Sequence, residues 1–143
     1  MSTTFRASSA LAAVLLACAF GACGESKEEK AKAEVCSARS NIEKEVTALS
    51  SLTLSTEAPA EAKKHIETIG DELKKIKNAQ PNLEPARREQ VQTATQTFEK
   101  EVKTTAEGFT KDLSVSNAEA KLKTAGKQLL NAYRQALEPI NCS

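Results

Sequence analysis

The 143-residue chain carries 20 lysines and arginines against 19 aspartates and glutamates, with one histidine, no tryptophan and one tyrosine. That length suits a single domain behind a short leader, and so even a charge balance argues against a nucleic-acid binder or a polybasic membrane patch. The scarcity of aromatic rings also removes the stacking platforms that bases and sugars need.

The chain opens with one basic residue, Arg6, then an apolar run from Ala10 to Phe20, then Gly21 and Ala22 directly before Cys23. A positive start, a short apolar core and small residues at a cleavage point are what an export leader requires. The core would make only about 17 Å of helix, against roughly 30 Å of bilayer hydrocarbon. A permanent transmembrane helix is therefore not expected.

Phe20-Gly21-Ala22-Cys23 resembles the lipobox of bacterial lipoproteins, which is a large apolar residue, two small residues and a cysteine, here with Phe in place of the usual Leu. The resemblance implies that residues 1–22 are removed and that Cys23 receives a diacylglycerol and acyl chains such as palmitate. Leu15-Leu16-Ala17-Cys18 offers an alternative site at Cys18. The apolar run continues past Cys18 and stops after Cys23 at Gly24-Glu25-Ser26-Lys27, which favours Cys23. Parity points the same way: with Cys18 removed and Cys23 lipidated, Cys36 and Cys142 remain to pair in an oxidising compartment. In layout the chain resembles small helical lipoproteins of bacteria, actinomycetes among them. This implies a place outside the cytoplasm, on the outer face of the cell membrane or on an outer membrane.

Residues 24–34 contain no large apolar side chain, so the lipidated cysteine and the segment to residue 34 are expected to form a charged tether, solvated or extending a frayed helix. The bundle domain is expected over 35–143. Val35, Ala38, Ile42, Val46, Leu49 and Leu52 fall three or four apart and predict the first helix. A second starts near Pro59, carries Ala62, Ile66, Ile69, Leu73 and Ile76 on its seam, and stops before Pro81. Pro85 opens a third, with Val91, Thr95, Phe98, Val102, Thr105 and Phe109 inward. Ser116 and Glu119 have capping-box spacing ahead of a fourth. Its stripe is Ala118, Leu122, Ala125, Leu129, Ala132 and Ala136, widened by Leu130, Tyr133 and Leu137, and it ends before Pro139. Leu52 to Leu54 and Leu113 to Val115 alternate too briefly for strands and are expected as connections.

A shift of 56 residues lays Glu43-Lys44-Glu45-Val46 over Glu99-Lys100-Glu101-Val102 and Ala62, Gly70 and Leu73 over Ala118, Gly126 and Leu129. The seams of the second and fourth helices coincide under it, as two repeated helical hairpins would. Duplication and shared helical composition both account for the match. The expected fold class is all-α: an up-down-up-down four-helix bundle. That topology brings the start of the first helix to the end of the fourth, where a Cys36–Cys142 disulfide would join them.

No catalytic, cofactor or metal site is expected. Cys-x-x-Cys is absent, the single His65 has no partner set for zinc, and no Gly-x-Ser-x-Gly elbow occurs. Glu43, Glu45, Glu99 and Glu101 lack the Glu-x-x-His companions of a di-iron bundle and read as a solvated face. Gly70 and Gly126 stand singly and predict close helix contact. The expected function is a non-enzymatic, lipid-anchored bundle, tied to the membrane through its anchor and working through contact with an envelope protein or as a structural component of the envelope. The alternative is a carrier of a small apolar ligand, suggested by the cavity that Ala62, Ala118, Ala125 and Ala132 would leave between helices.

Overall fold

A computed structural model describes residues 26–53, 57–111 and 118–143. The leader with Cys18 and Cys23, the Ser116–Glu119 cap, Leu54 and the 113–115 connection lie outside the described residues, as do the side chains of Phe109 and Ala118. The helices are α1 (Lys27–Ser50), α2 (Ala58–Ala79), α3 (Pro85–Lys111) and α4 (Ala118–Ala136), with a 3-10 turn at Gln80–Asn82 after α2. Pro59 and Pro85 lie in the first turns of α2 and α3, and Pro81 follows the end of α2, because proline fits a first turn but disfavours helix in the residue before it.

Each helix packs on two others: α1 on α2 and α4, and α3 on α2 and α4. Contacts along α1 meet α4 in reverse order. Cys36 meets Cys142, Glu43 accepts from Tyr133, and Leu49 and Ser50 lie against Gly126. The same reversal links α2 to α3, through Lys77 with Glu99 and Gln80 with Thr95. The fold is the expected all-α, up-down-up-down bundle, with its seam residues Val35, Ile42, Val46, Leu49, Ile69, Leu73, Ile76, Val91 and Phe98 in one buried core.

Three expectations need correction. First, the bundle begins inside the charged stretch. Ser26 and Glu29 form a capping box, Ser26 Oγ accepting from the Glu29 amide at 3.1 Å and Glu29 Oε2 accepting from the Ser26 amide at 2.8 Å. These bonds satisfy two donors at the helix start, and Glu28 and Glu29 oppose the positive end of the helix dipole. The Ser26 backbone bond, then its hydroxyl, hold the Glu29 carboxyl below its ordinary value. Ala31 is buried, so these turns belong to the domain and not to a tether.

Second, α4 is turned about its axis relative to its predicted stripe. Its buried line is Leu122, Gly126, Leu129, Tyr133 and Leu137, whereas Ala125, Ala132 and Ala136 are only half-buried. Burying Tyr133 and Leu137 removes more apolar surface from water than burying alanines does. The hairpins therefore bury different positions under the 56-residue shift: Ile69 and Ile76 are fully covered, and their counterparts Ala125 and Ala132 are not.

Third, only one of the paired glycines is in close contact. A Cβ built on Gly126 would lie 2.7 Å from the Ser50 Cα and 2.8 Å from the Leu49 carbonyl oxygen, whereas one on Gly70 would meet nothing within 4 Å. Gly126 is what allows the α4 backbone to rest on the last turn of α1.

Candidate functional site

At one end of the bundle, the chain after α4 is held by covalent and polar ties. Cys36 and Cys142 form a disulfide with their Cα atoms 5.7 Å apart. Arg39, one turn along α1, donates through one Nη to the carbonyls of Glu138 at 3.1 Å and Ile140 at 2.7 Å. Arg87, in the first turn of α3, donates to the carbonyl of Asn141 at 2.7 Å. Arg88 donates to the carbonyls of Pro81 and Leu83, both at 2.9 Å, closing the α2–α3 connection beneath buried Leu83. Charged donors on carbonyls left over at chain ends make stronger bonds than neutral ones. None of the three arginines was singled out by sequence, because a forked donor on a backbone carbonyl leaves no spacing signal.

The polar residues considered as reactive candidates are dispersed. Glu45 Oε2 lies 2.6 Å from His65 Nδ1 across the α1–α2 seam. Glu43 accepts from the Tyr133 hydroxyl at 3.3 Å, and burial, then the Glu43 charge, pushes that phenol up to about 12. Glu99 pairs with Lys77 at 2.6 Å and Lys103 at 3.4 Å, and the Lys77 bond leads in holding its carboxyl below the ordinary value. Among the described residues no group of three or more His, Cys, Asp or Glu is placed to hold a metal ion.

The fourth carboxylate, Glu101, lines a surface groove between α3 and α4. Phe98 of α3 and Tyr133 of α4 are the two largest fully buried side chains among the described residues, and their rings meet edge to face at 6.3 Å. On the outer side of α3 and α4, alanines and threonines floor an open groove of about 1090 Å³ that glutamine and glutamate side chains also line. One wall is Glu89, Thr93, Ala94, Thr97 and Glu101 of α3, and the other includes Gln128, Ala132, Gln135 and Ala136 of α4. Of the half-buried alanines of α4, Ala132 and Ala136 open onto this external groove.

On α3, Glu89, Thr93, Thr97 and Glu101 form a single row four residues apart, the ridge along which helices cross one another. Thr97 Oγ1 donates to the Thr93 carbonyl at 2.9 Å, which keeps the middle of the row low. Sequence reading classed Glu101 as a solvated face and did not find the groove. Its signal was the row of threonines on the outer side of α3, legible only once the azimuth of α4 was known. No protein-family model, no curated protein and no solved structure matches the chain.

Proposed function

We propose that the protein is a lipid-anchored, non-enzymatic helical module displayed outside the cytoplasm, working through protein contact at the α3–α4 groove. The observation that carries this reading is the Cys36–Cys142 disulfide. A structural disulfide of this kind suits an oxidising compartment, and it uses both cysteines that remain if Cys23 is the anchor. Only Gly24 and Glu25 lie between Cys23 and the Ser26 cap of α1. That span reaches at most about 10 Å when extended, so an anchor at Cys23 would hold the stapled end close to the membrane, with the groove rising away from it. Among the described residues no helix is long and apolar enough to cross a membrane, and on this reading the acyl chains supply the attachment.

Of the alanines that suggest the carrier reading, Ala62 is buried, whereas Ala125 and Ala132 are half-buried and Ala132 lines the external groove, which favours the contact reading over it. The deciding experiment is intact-mass analysis of the full-length protein extracted from membranes, with Cys23→Ala and Cys18→Ala beside the wild type. The expected mass lacks residues 1–22, carries acyl chains and two fewer hydrogens for the disulfide, and loses the acyl chains only in Cys23→Ala. A wild-type mass that retains the leader, or one whose acyl chains disappear in Cys18→Ala alone, would refute the assignment.

A further inference from the structure

We propose that Arg39 and Arg87 are positioning residues for the Cys36–Cys142 bridge: they dock the chain after α4 so that Cys142 meets Cys36 in the assembled bundle, and they thereby select that pair over the others open to the unfolded chain. The tail needs such a device because its own backbone does little to place it. Its last backbone-to-backbone bond runs from the Ile140 amide to the Leu137 carbonyl, and among the described residues none is made from Asn141 onward. The carbonyls of Glu138, Ile140 and Asn141 are taken instead by the two guanidiniums. The Nε atoms of both arginines are enclosed by protein, so each guanidinium is held at the tail and does not sweep through solvent. Charged donors fixed in this way make the stronger class of hydrogen bond. Buried Ile140 adds one apolar contact two residues before Cys142.

The two arginines belong to different helices. Arg39 stands one turn from Cys36 on α1, and Arg87 lies in the first turn of α3, so both grip the tail together only when α1, α3 and α4 are assembled. Chain statistics alone favour another pairing. Cys23 and Cys36 are thirteen residues apart, against 106 for Cys36 and Cys142. In an unfolded chain the shorter loop closes roughly 20-fold more readily. A Cys23–Cys36 bridge would consume the thiol that the proposed anchor needs; that consequence rests on the lipoprotein reading, whereas the docking does not. Bridge formation requires a disulfide oxidant, such as glutathione disulfide. One protein thiolate attacks it and releases one glutathione, and the second attacks the mixed disulfide and releases the other. Two protein thiols thus lose two protons and two electrons while one glutathione disulfide becomes two thiols.

The test has two arms, both on the full-length chain in detergent. In the first, Cys18→Ala and Cys23→Ala leave only Cys36 and Cys142, and the chain is equilibrated with mixtures of reduced and oxidised glutathione. The bridged fraction, counted by mass after alkylation, gives the effective concentration of one thiol at the other. Combining Arg39→Met with Arg87→Met should lower it roughly 10- to 50-fold while the helical circular dichroism is kept, since hydrogen bonds from charged donors hold the tail. Arg39→Lys, which keeps a charged donor, should lose less than Arg39→Met. Arg88→Met should leave the effective concentration unchanged, because Arg88 ties the α2–α3 connection and not the tail. In the second arm the unacylated four-cysteine chain is reduced, refolded in the same buffer and its bridges mapped by proteolysis and mass. The wild type should give Cys36–Cys142, and the paired methionine variant a substantial share of Cys23–Cys36. The proposal is overturned if that variant keeps the wild-type effective concentration, if Arg88→Met lowers it equally, or if the bridge map does not change. Acylation enters neither arm, so failure here leaves the anchor standing, and a mass that refutes the anchor leaves the docking standing.

Discussion

The same substitution at Gly70 and Gly126 is expected to act with opposite sign, although sequence sets the two glycines at equivalent places in a repeat. In an exposed or half-exposed helix interior, Gly→Ala stabilises by about 1 kcal/mol, because alanine restricts the unfolded backbone and favours the helix. Gly70→Ala meets nothing within 4 Å and should gain that full amount. Gly126→Ala gains the same propensity but drives a methyl group to 2.7 Å from the Ser50 Cα, 2.8 Å from the Leu49 oxygen and 2.9 Å from the Ser50 nitrogen. These are backbone atoms, which cannot swing aside as a long side chain does. To reach ordinary van der Waals separation α4 must move off α1 by up to about an ångström, and overpacking of this sort costs about 1–3 kcal/mol. The net effect at Gly126 is a loss of up to about 2 kcal/mol, so the two variants should differ by about 1–3 kcal/mol. Urea unfolding followed by circular dichroism, with the disulfide intact and slopes compared to check that only stability has changed, measures both. A Gly126→Ala variant as stable as Gly70→Ala would refute the close approach of α4 to α1, and with it the azimuth assigned to α4.

Reducing the disulfide, or replacing Cys36 and Cys142 together by serine, releases a bridge between positions 106 residues apart. The chain-entropy model sets the loss at roughly 4–5 kcal/mol at most, read as a lower urea midpoint, and an unchanged midpoint would count against the bridge. Tyr133 predicts an alkaline limb to stability. Its folded phenol titrates near 12, above the ordinary value of 10, so the stabilisation is complete below pH 10 and disappears as pH rises through 12, by up to about 1.4 kcal/mol per pH unit. Tyr133→Phe removes that limb at a cost near 1 kcal/mol for the Glu43 hydrogen bond. Tyrosinate absorbance and unfolding midpoints between these pH values test it, and equal alkaline sensitivity in the variant would exclude Tyr133 as the cause.

Much of the base of the molecule was legible in the order of residues. Cys36 and Cys142 were expected at the same end because an even number of helices returns the chain to its starting side, and their bridge lies there. The capping box at Ser26 and Glu29 was equally legible as Ser-x-x-Glu, but the surrounding charges argued for a tether, and one small buried residue, Ala31, decided otherwise. A short charged segment is helical when a cap satisfies its first amides and even one side chain gains a neighbour.

Helix number, the limits of α2, the start of α3 and most of the inward faces of α1, α2 and α3 followed from apolar spacing and proline placement, since periodicity and backbone restriction are properties of each segment by itself. Tertiary structure alone decided the rotation of α4, the unequal surroundings of Gly70 and Gly126, the arginine ties to the carbonyls after α4, and the groove between α3 and α4. A wide apolar stripe is compatible with several azimuths, and the one adopted depends on which side chains the neighbouring helices can cover. A depression on the surface is a difference between two helices' side-chain sizes at one level, and no single segment contains that information.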